Sequence, residues 1–124
     1  MLIFITLSML FLHIIADFNL QGIMGDLKQK AWWQKNYPNK KYKNDYIFVL
    51  TLHSFSWSFL VMLPIAIYRS FNVDYIFLLV LLFNIVVHSI VDDLKANKLS
   101  INLIEDQLIH IAQITLTALI LLAR

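Results

Sequence analysis

Four apolar runs constrain what this chain can fold into more than any other feature of its sequence. They cover approximately residues 1–20, 46–68, 75–94 and 101–122. A helix of about 20 residues spans the hydrocarbon core of a bilayer. Hydrophobic residues make up 60% of the 124 residues, charged residues only 15%, and the mean hydropathy is +0.70, well outside the range of soluble domains. The sequence therefore predicts an all-α, polytopic membrane protein, with a single membrane domain over 1–124 that forms an antiparallel four-transmembrane-helix bundle.

Basic residues are distributed unevenly between the apolar runs. Lys95 and Lys98 lie near the third connection, whereas the opposite side has only Arg69 and Arg124. Loop 21–45 contains six lysines interleaved with aromatic residues: Lys28, Lys30, Lys35, Lys40, Lys41 and Lys43. Because positively charged loops stay in the cytoplasm, this loop is expected there, with both termini outside. Lysines beside tryptophans suit the headgroup region, so the lipid bilayer with its anionic lipids is the predicted partner, and nucleic acid is not.

Histidine and aspartate side chains recur four residues apart within the apolar runs. Residues at this spacing project from the same face of a helix, so both can reach one point in space. With a rise of about 1.5 Å per residue, the ionisable groups of all four helices fall into one layer in the cytoplasmic half. These groups are the pairs His13–Asp17, His88–Asp92 and Asp106–His110, together with His53.

Seven ionisable groups at one depth predict a metal centre. A lone histidine in a membrane helix more often hydrogen-bonds to a neighbouring helix, but three buried aspartates need a cation to offset their charge. The chain has no cysteine, and nitrogen and carboxylate ligands suit one or two divalent ions of zinc, manganese or iron. The predicted metal ligands are His13, Asp17, His53, His88, Asp92, Asp106 and His110.

A metal-dependent hydrolase is the favoured function for such a centre. A bound metal lowers the pKa of water, and a carboxylate that is not fully committed to the metal accepts the proton. A lysine at the cytoplasmic end can hold an anionic group, which favours a phosphoester or lipid-linked substrate approached from the cytoplasm. The candidate catalytic residues are Asp17, Asp92, Asp106, Gln107 and Lys95.

Several neighbouring residues are interpreted more simply. Lys28 and Lys30 are expected to be ordinary basic loop residues, and Trp57 is expected to serve packing. Asp93 and Glu105 point away from Asp92 and Asp106 by about a hundred degrees of helix, so they are predicted to be solvated charges.

Two other functions would use the same residues. One is transport or binding of a metal ion or proton; the other is a redox bundle with a di-iron centre or haem. Haem needs axial imidazoles and an apolar cleft, and di-iron bundles usually carry glutamate at Glu-x-x-His spacing, so both redox versions fit the aspartates less well. The sequence leaves open the substrate, the metal and whether the chain forms an oligomer.

The His/Asp motifs resemble those of a domain-of-unknown-function family of small bacterial and phage integral membrane proteins. Its pattern is His-x-x-x-Asp-Phe-x-Leu-Gln, a histidine in the second span, His-x-x-x-Asp-x-x-Lys and Asp-Gln-x-x-His; here these are His13–Gln21, His53, His88–Lys95 and Asp106–His110. The chain departs from the pattern at Trp57, where some members carry a second histidine. The resemblance implies a multi-pass protein of the bacterial inner membrane with a shared site, and brings no established activity. A looser similarity, in the helix-borne His/Asp motifs alone, is to membrane-bound metal-dependent hydrolases.

Overall fold

The protein is mostly helical and has no strands, which confirms the predicted all-α class. The computed structural model describes residues 1–124, with helices α1 Leu2–Ile14, α2 Met24–Leu27, α3 Lys30–Asn36, α4 Asp45–Tyr68, α5 Tyr75–Ala96 and α6 Leu103–Leu122. A π-helical turn, Ile15–Asn19, extends α1, and a 3₁₀ turn, Lys40–Tyr42, precedes α4. Four helical segments are long and apolar enough to cross a membrane: Leu2–Asn19, Lys40–Tyr68, Tyr75–Ala96 and Leu103–Leu122.

Side-chain caps begin two of the long helices. At α5, the Asp74 carboxylate accepts a hydrogen bond from the Phe77 backbone N–H at 2.9 Å. At α6, Asn102 and Glu105 form a capping box, each accepting from the other's backbone N–H. Such caps satisfy backbone donors that the first helical turn leaves unpaired. The α6 cap lies at the helix end that carries Asp106, whereas the α5 cap lies at the end opposite Asp92.

The long helices enclose an interior that is apolar towards one end and polar towards the other. α4 packs against α1 and α5, and α6 packs against α5 and α1. The buried apolar core includes Ile5, Met9, Val61, Ile65, Val80 and Leu121. The buried polar residues include His13, His53, Asn84, His88, Asp92, Asp106, His110 and Gln113. The chemistry-bearing residues therefore share one half of the interior.

The outward surfaces of the long helices are apolar. Large hydrophobic side chains lie exposed on each of them, among them Phe4, Phe11, Phe48, Phe59, Leu79, Phe83, Leu108 and Leu119. Monomeric soluble proteins rarely expose apolar surface on this scale. The outside of the helices needs an apolar environment.

Candidate metal centre

Asp17 reaches the interior from a distorted turn at the end of α1. The backbone of Ile15–Asn19 is π-helical, and the Leu20 N–H donates to the Ile15 carbonyl five residues earlier at 2.8 Å. Such wide turns change the direction of the side chains that they carry, and they are frequent at functional sites. The sequence predicted an ordinary helical turn here, because neither proline nor glycine marks the change.

Two histidines and two aspartates from three helical segments face one another at the centre of the polar half. His53 Nε2 lies 3.4 Å from both Asp17 Oδ1 and Asp92 Oδ2. His88 Nε2 lies 3.7 Å and 4.0 Å from the same two oxygens. Ligand atoms bound at about 2.0–2.1 Å to a tetrahedral zinc ion lie about 3.3–3.4 Å apart. The separations around His53 are therefore those of ligands that share one ion.

His110 brings a further lone pair towards Asp106. Its Nδ1 lies 3.0 Å from Gln113 Oε1, and the Gln113 amide nitrogen donates to the Asn84 carbonyl and side-chain oxygens. This orientation of the amide assigns the imidazole proton to Nδ1. Nε2 is then an acceptor 3.2 Å from the Asp106 Oδ1 oxygen, which is also an acceptor. A cation between or beside these two atoms removes their repulsion.

Six of the seven predicted ligands form one buried cluster. Three overlapping groups, each with ligand atoms within 4.8 Å of one another, are Asp17–His53–His88, His88–Asp92–His110 and Asp17–Asp106–His110. The His88 ring is stacked between Trp57 and His110, with ring centroids 4.3 Å and 4.1 Å apart. Trp57 thus packs directly on a candidate ligand.

His13 does not belong to any of these groups, although it was predicted as a ligand. Its Nδ1 accepts a hydrogen bond from Trp57 Nε1 at 2.8 Å, so its proton is on Nε2, which donates to Gln107 Oε1 at 2.9 Å. Both ring nitrogens are therefore taken by protein partners. His13 holds Gln107, and the Gln107 amide nitrogen donates to Asp17 Oδ2 and Asp106 Oδ2 at 3.3 Å and 2.9 Å.

Lys95 lies at the edge of the cluster and is bound to a candidate ligand. Its Nζ donates to Asp106 Oδ2 at 2.9 Å, and its side chain retains 29% of its exposure. Lys95 therefore both contacts the cluster and reaches the surface. Gln107 is a bridge between two carboxylates.

Lys28 is the site residue that sequence reasoning missed. It is only 5% exposed, and its Nζ donates to Asp92 Oδ2 at 2.8 Å. The backbone around it is fastened to the end of α5, because Asn97 Nδ2 donates to the Lys28 carbonyl and Asn97 Oδ1 accepts from the Lys30 N–H. No sequence signal separates Lys28 from the other lysines of its loop.

Asp93 and Glu105 lie outside the cluster, as expected. Asp93 accepts from Asn97 and lies 3.8 Å from the exposed Lys98 ammonium, and Glu105 serves the α6 capping box. Helix periodicity therefore separates the two aspartates of the Asp92–Asp93 pair correctly.

The buried cluster fits a cation because several of its polar atoms have no hydrogen-bond partner. Five of its buried atoms have no hydrogen-bond partner: His53 Nε2, His88 Nδ1, His88 Nε2, Asp106 Oδ1 and His110 Nε2. Each such atom costs about 1–3 kcal/mol when left unpaired. Protonating all three imidazoles would not relieve this, since the His88 ring lies 4.1 Å from His110 and 5.1 Å from His53. Three like charges at these distances would repel strongly in a buried site.

The charges of the cluster also leave room for one divalent ion. Three carboxylates face two ammonium groups, those of Lys28 and Lys95, so one negative charge remains when the histidines are neutral. One divalent ion would convert this to a single positive charge that an anionic ligand balances, whereas two ions would leave three positive charges in a buried site.

The sequence matches no protein-family model, and no curated protein or solved structure gives a significant match.

Proposed function

We propose that the chain is a membrane protein whose four long helices form an antiparallel transmembrane bundle with the His/Asp cluster in its cytoplasmic half. The apolar outward surfaces and the lengths of the four helices support this placement. The lysines of loop 21–45 lie at the cluster end of the helices, whereas Arg69 and Arg124 lie at the other end. Positively charged segments favour the cytoplasmic side.

The cluster binds one divalent transition-metal ion in this proposal. The single observation that carries it is the set of buried imidazole and carboxylate atoms that face one another and have no hydrogen-bond partner. The first four candidate ligands converge from three helical segments with separations of 3.4–4.0 Å: Asp17, His53, His88 and Asp92. His110 and Asp106, whose facing atoms are 3.2 Å apart, lie next to them. Nitrogen and carboxylate donors suit zinc, manganese or iron.

The activity that we propose is metal-dependent hydrolysis of a phosphoester or lipid-linked substrate that enters from the cytoplasmic side. When bound, the metal supplies a water of lowered pKa and polarises an oxygen of the substrate. Asp106 is the proton acceptor best placed for this chemistry, since Oδ1 is unpaired while Oδ2 accepts from Lys95 and Gln107. The partly exposed Lys95 ammonium offers a contact for an anionic substrate oxygen.

The interior beyond the cluster favours an enzyme over a carrier. The polar chain from His110 continues through Gln113 and Asn84 to Thr117, where the Asn84 amide donates at 2.8 Å. Past Thr117 lie buried apolar side chains such as Val61, Ile65, Val80 and Leu121. A transported ion needs polar groups along its whole path, but here the buried polar groups occupy only the half of the interior that contains the cluster.

The stacked histidines disfavour haem. Two imidazoles that ligate one haem lie on opposite faces of a porphyrin. The rings of His88 and His110 are 4.1 Å apart, which leaves no space for a macrocycle between them.

Elemental analysis of the protein purified in mild detergent tests the metal proposal. We expect about one equivalent of a transition metal, lost in His88→Ala and in the more conservative His88→Asn. Ser58→Ala is the matched control, because Ser58 is buried one turn past Ser54 on α4 and its hydroxyl has no hydrogen-bond partner. A metal content below one equivalent that is unchanged in both His88 variants would sink the proposal.

Hydrolysis is tested separately on metal-loaded protein. We expect release of 4-nitrophenol from its phosphate mono- or diester in mixed micelles, with a large loss in Asp106→Asn although metal is retained. If the wild-type protein retains metal but hydrolyses neither ester, the metal-binding proposal stands and the hydrolase proposal is wrong.

A further inference from the structure

The loop that covers the cluster contains a second, separate concave site. α3 and the turn before α4 enclose a cavity of about 200 Å³, whose lining includes Lys30, Trp33, Tyr37, Lys40, Tyr42 and Lys43. No residue of the buried cluster lines it. We refer to it as the aromatic–lysine pocket.

Packing among the aromatic rings makes the pocket preformed. Trp33 and Tyr42 are stacked with their planes 20° apart, and Tyr37 lies 5.2 Å from Tyr42. The Trp33 indole N–H donates to the Leu27 carbonyl at 2.6 Å, and Asn39 caps the 3₁₀ turn by accepting from the Lys41 N–H. Binding of a ligand would therefore cost little conformational entropy, because the side chains that line the pocket are already ordered.

The pocket is positively charged and has no internal counterion. Three of its lining residues are lysines and none is an aspartate or glutamate. Of the six lysines in loop 21–45, only Lys28 forms an ion pair; the others, Lys30, Lys35, Lys40, Lys41 and Lys43, form none. Ammonium groups that converge on a cavity without a carboxylate attract an anion.

The pocket is also connected to the cluster through Asn97 and Lys28. The Lys30 N–H donates to Asn97 at 2.7 Å, and the same asparagine binds the Lys28 carbonyl. Lys28 in turn reaches Asp92. A molecule in the pocket would lie at the membrane–water interface of the proposed topology, where indole and phenol rings are favoured.

We propose that the aromatic–lysine pocket binds the phosphate headgroup of an anionic phospholipid. Lys40, Lys43 and Lys30 would contact the phosphate oxygens, and the Trp33, Tyr37 and Tyr42 rings would pack against the glycerol backbone. This inference rests on the proposed membrane placement and is independent of the metal and of hydrolysis.

Titration of the detergent-solubilised full chain with short-chain lipids tests the proposal, with tryptophan fluorescence as the readout because Trp33 lines the pocket. The probes are dihexanoyl phosphatidylglycerol, dihexanoyl phosphatidylcholine and inorganic phosphate. Wild-type protein is expected to bind the anionic lipid at least about tenfold more tightly than either of the others. Each lysine near an anionic surface contributes about a factor of five, so Lys40→Gln with Lys43→Gln should weaken binding about 25-fold.

A second double variant provides the matched control. Lys35→Gln with Lys41→Gln removes the same charge from the same loop, but neither residue lines the pocket. It should weaken binding less than about threefold if the contacts are local. Equal loss in the two double variants would overturn the proposal in favour of general charge attraction, and equal binding of phosphate would replace the lipid with free phosphate.

Metal content, measured on the same preparations, separates this inference from the metal centre. Both double variants should keep the wild-type metal content, since none of the four lysines contacts the cluster. Loss of lipid binding with metal retained supports the pocket as a separate site. Parallel loss of metal and lipid would show that the lysines act through the fold and would overturn the assignment.

Discussion

Replacing Lys28 with methionine should lower the free energy of unfolding more in the metal-free protein than in the metal-bound protein. Methionine preserves an unbranched apolar stem and removes the ammonium group that donates to Asp92. The two side chains are 7% and 2% exposed, so the pair is little screened by solvent. Without Lys28, the Asp92 carboxylate keeps no side-chain donor within hydrogen-bond distance.

The size of the effect follows from the distance and the burial. Two unit charges 2.8 Å apart attract by about 6 kcal/mol at an effective dielectric of about 20. The variant also no longer has to desolvate the ammonium group, which offsets part of the lost attraction. Breaking buried pairs by removing one partner costs about 3–5 kcal/mol. We expect the metal-free Lys28→Met protein to lose about that much of its free energy of unfolding.

A bound metal should reduce this loss, because the ion takes over part of the charge of Asp92. Unfolding and metal binding form a thermodynamic cycle. If bound metal restores half of a loss of about 4 kcal/mol, the variant must bind metal about 2 kcal/mol, or about thirtyfold, more tightly than the wild-type protein. Lys28 is then a tethered cation that competes with the metal for Asp92. Reversible unfolding in mixed micelles, with and without added zinc or manganese, measures both quantities.

Lys30→Met is the matched control for this experiment. Lys30 belongs to the same loop, but it is exposed and forms no ion pair. Its replacement should change stability by no more than about 0.5 kcal/mol. Equal destabilisation by the two variants, or a Lys28→Met loss that is the same with and without metal, would refute the reasoning.

Two further predictions concern the surroundings of the site and the opposite end of the molecule. Trp57→Phe keeps a ring against His88 but removes the donor to His13 Nδ1. It should lower the free energy of unfolding by about 1–3 kcal/mol and leave the metal content unchanged. Loss of metal in this variant would show that Trp57 is part of the metal centre. At the other end, hydrogen bonds from Arg124, from the Phe77 backbone N–H and from Arg69 hold the pKa of Asp74 below its ordinary value. Its contribution to stability is therefore fully present above the ordinary carboxyl pKa and is lost as the pH falls through the lower folded value. Asp74→Asn, which keeps a side-chain oxygen for the cap, should flatten this part of the acid dependence of unfolding, and identical pH profiles would contradict it.

The helices and the inward faces follow from local chemistry. Runs of apolar residues long enough to span a bilayer have few alternatives to helix, and the structure has its long helices at those four places. Helical spacing places His88 beside Asp92 and turns Asp93 away, because the angle per residue is constant along a regular helix. These properties depend only on neighbours along the chain.

The roles within the cluster depend on which side chains meet from distant parts of the chain. His13 shares its face and depth with the ligands, but Trp57 from α4 and Gln107 from α6 occupy its two nitrogens, and only the packing of three helices brings them there. Lys28 lies 64 residues from Asp92 in a loop without periodicity, so nothing local distinguishes it from the lysines that remain in solvent.

The sequence alone thus determined the four long helices, their polar stripes and the types of candidate ligand. The tertiary structure decided which nitrogens remain free, which carboxylates already have a cation, and that the polar groups end halfway along the interior. The physical reason is that a donor or charge is satisfied by whatever lies within about 3 Å of it in space, and spacing along a helix specifies this only for residues on the same helix.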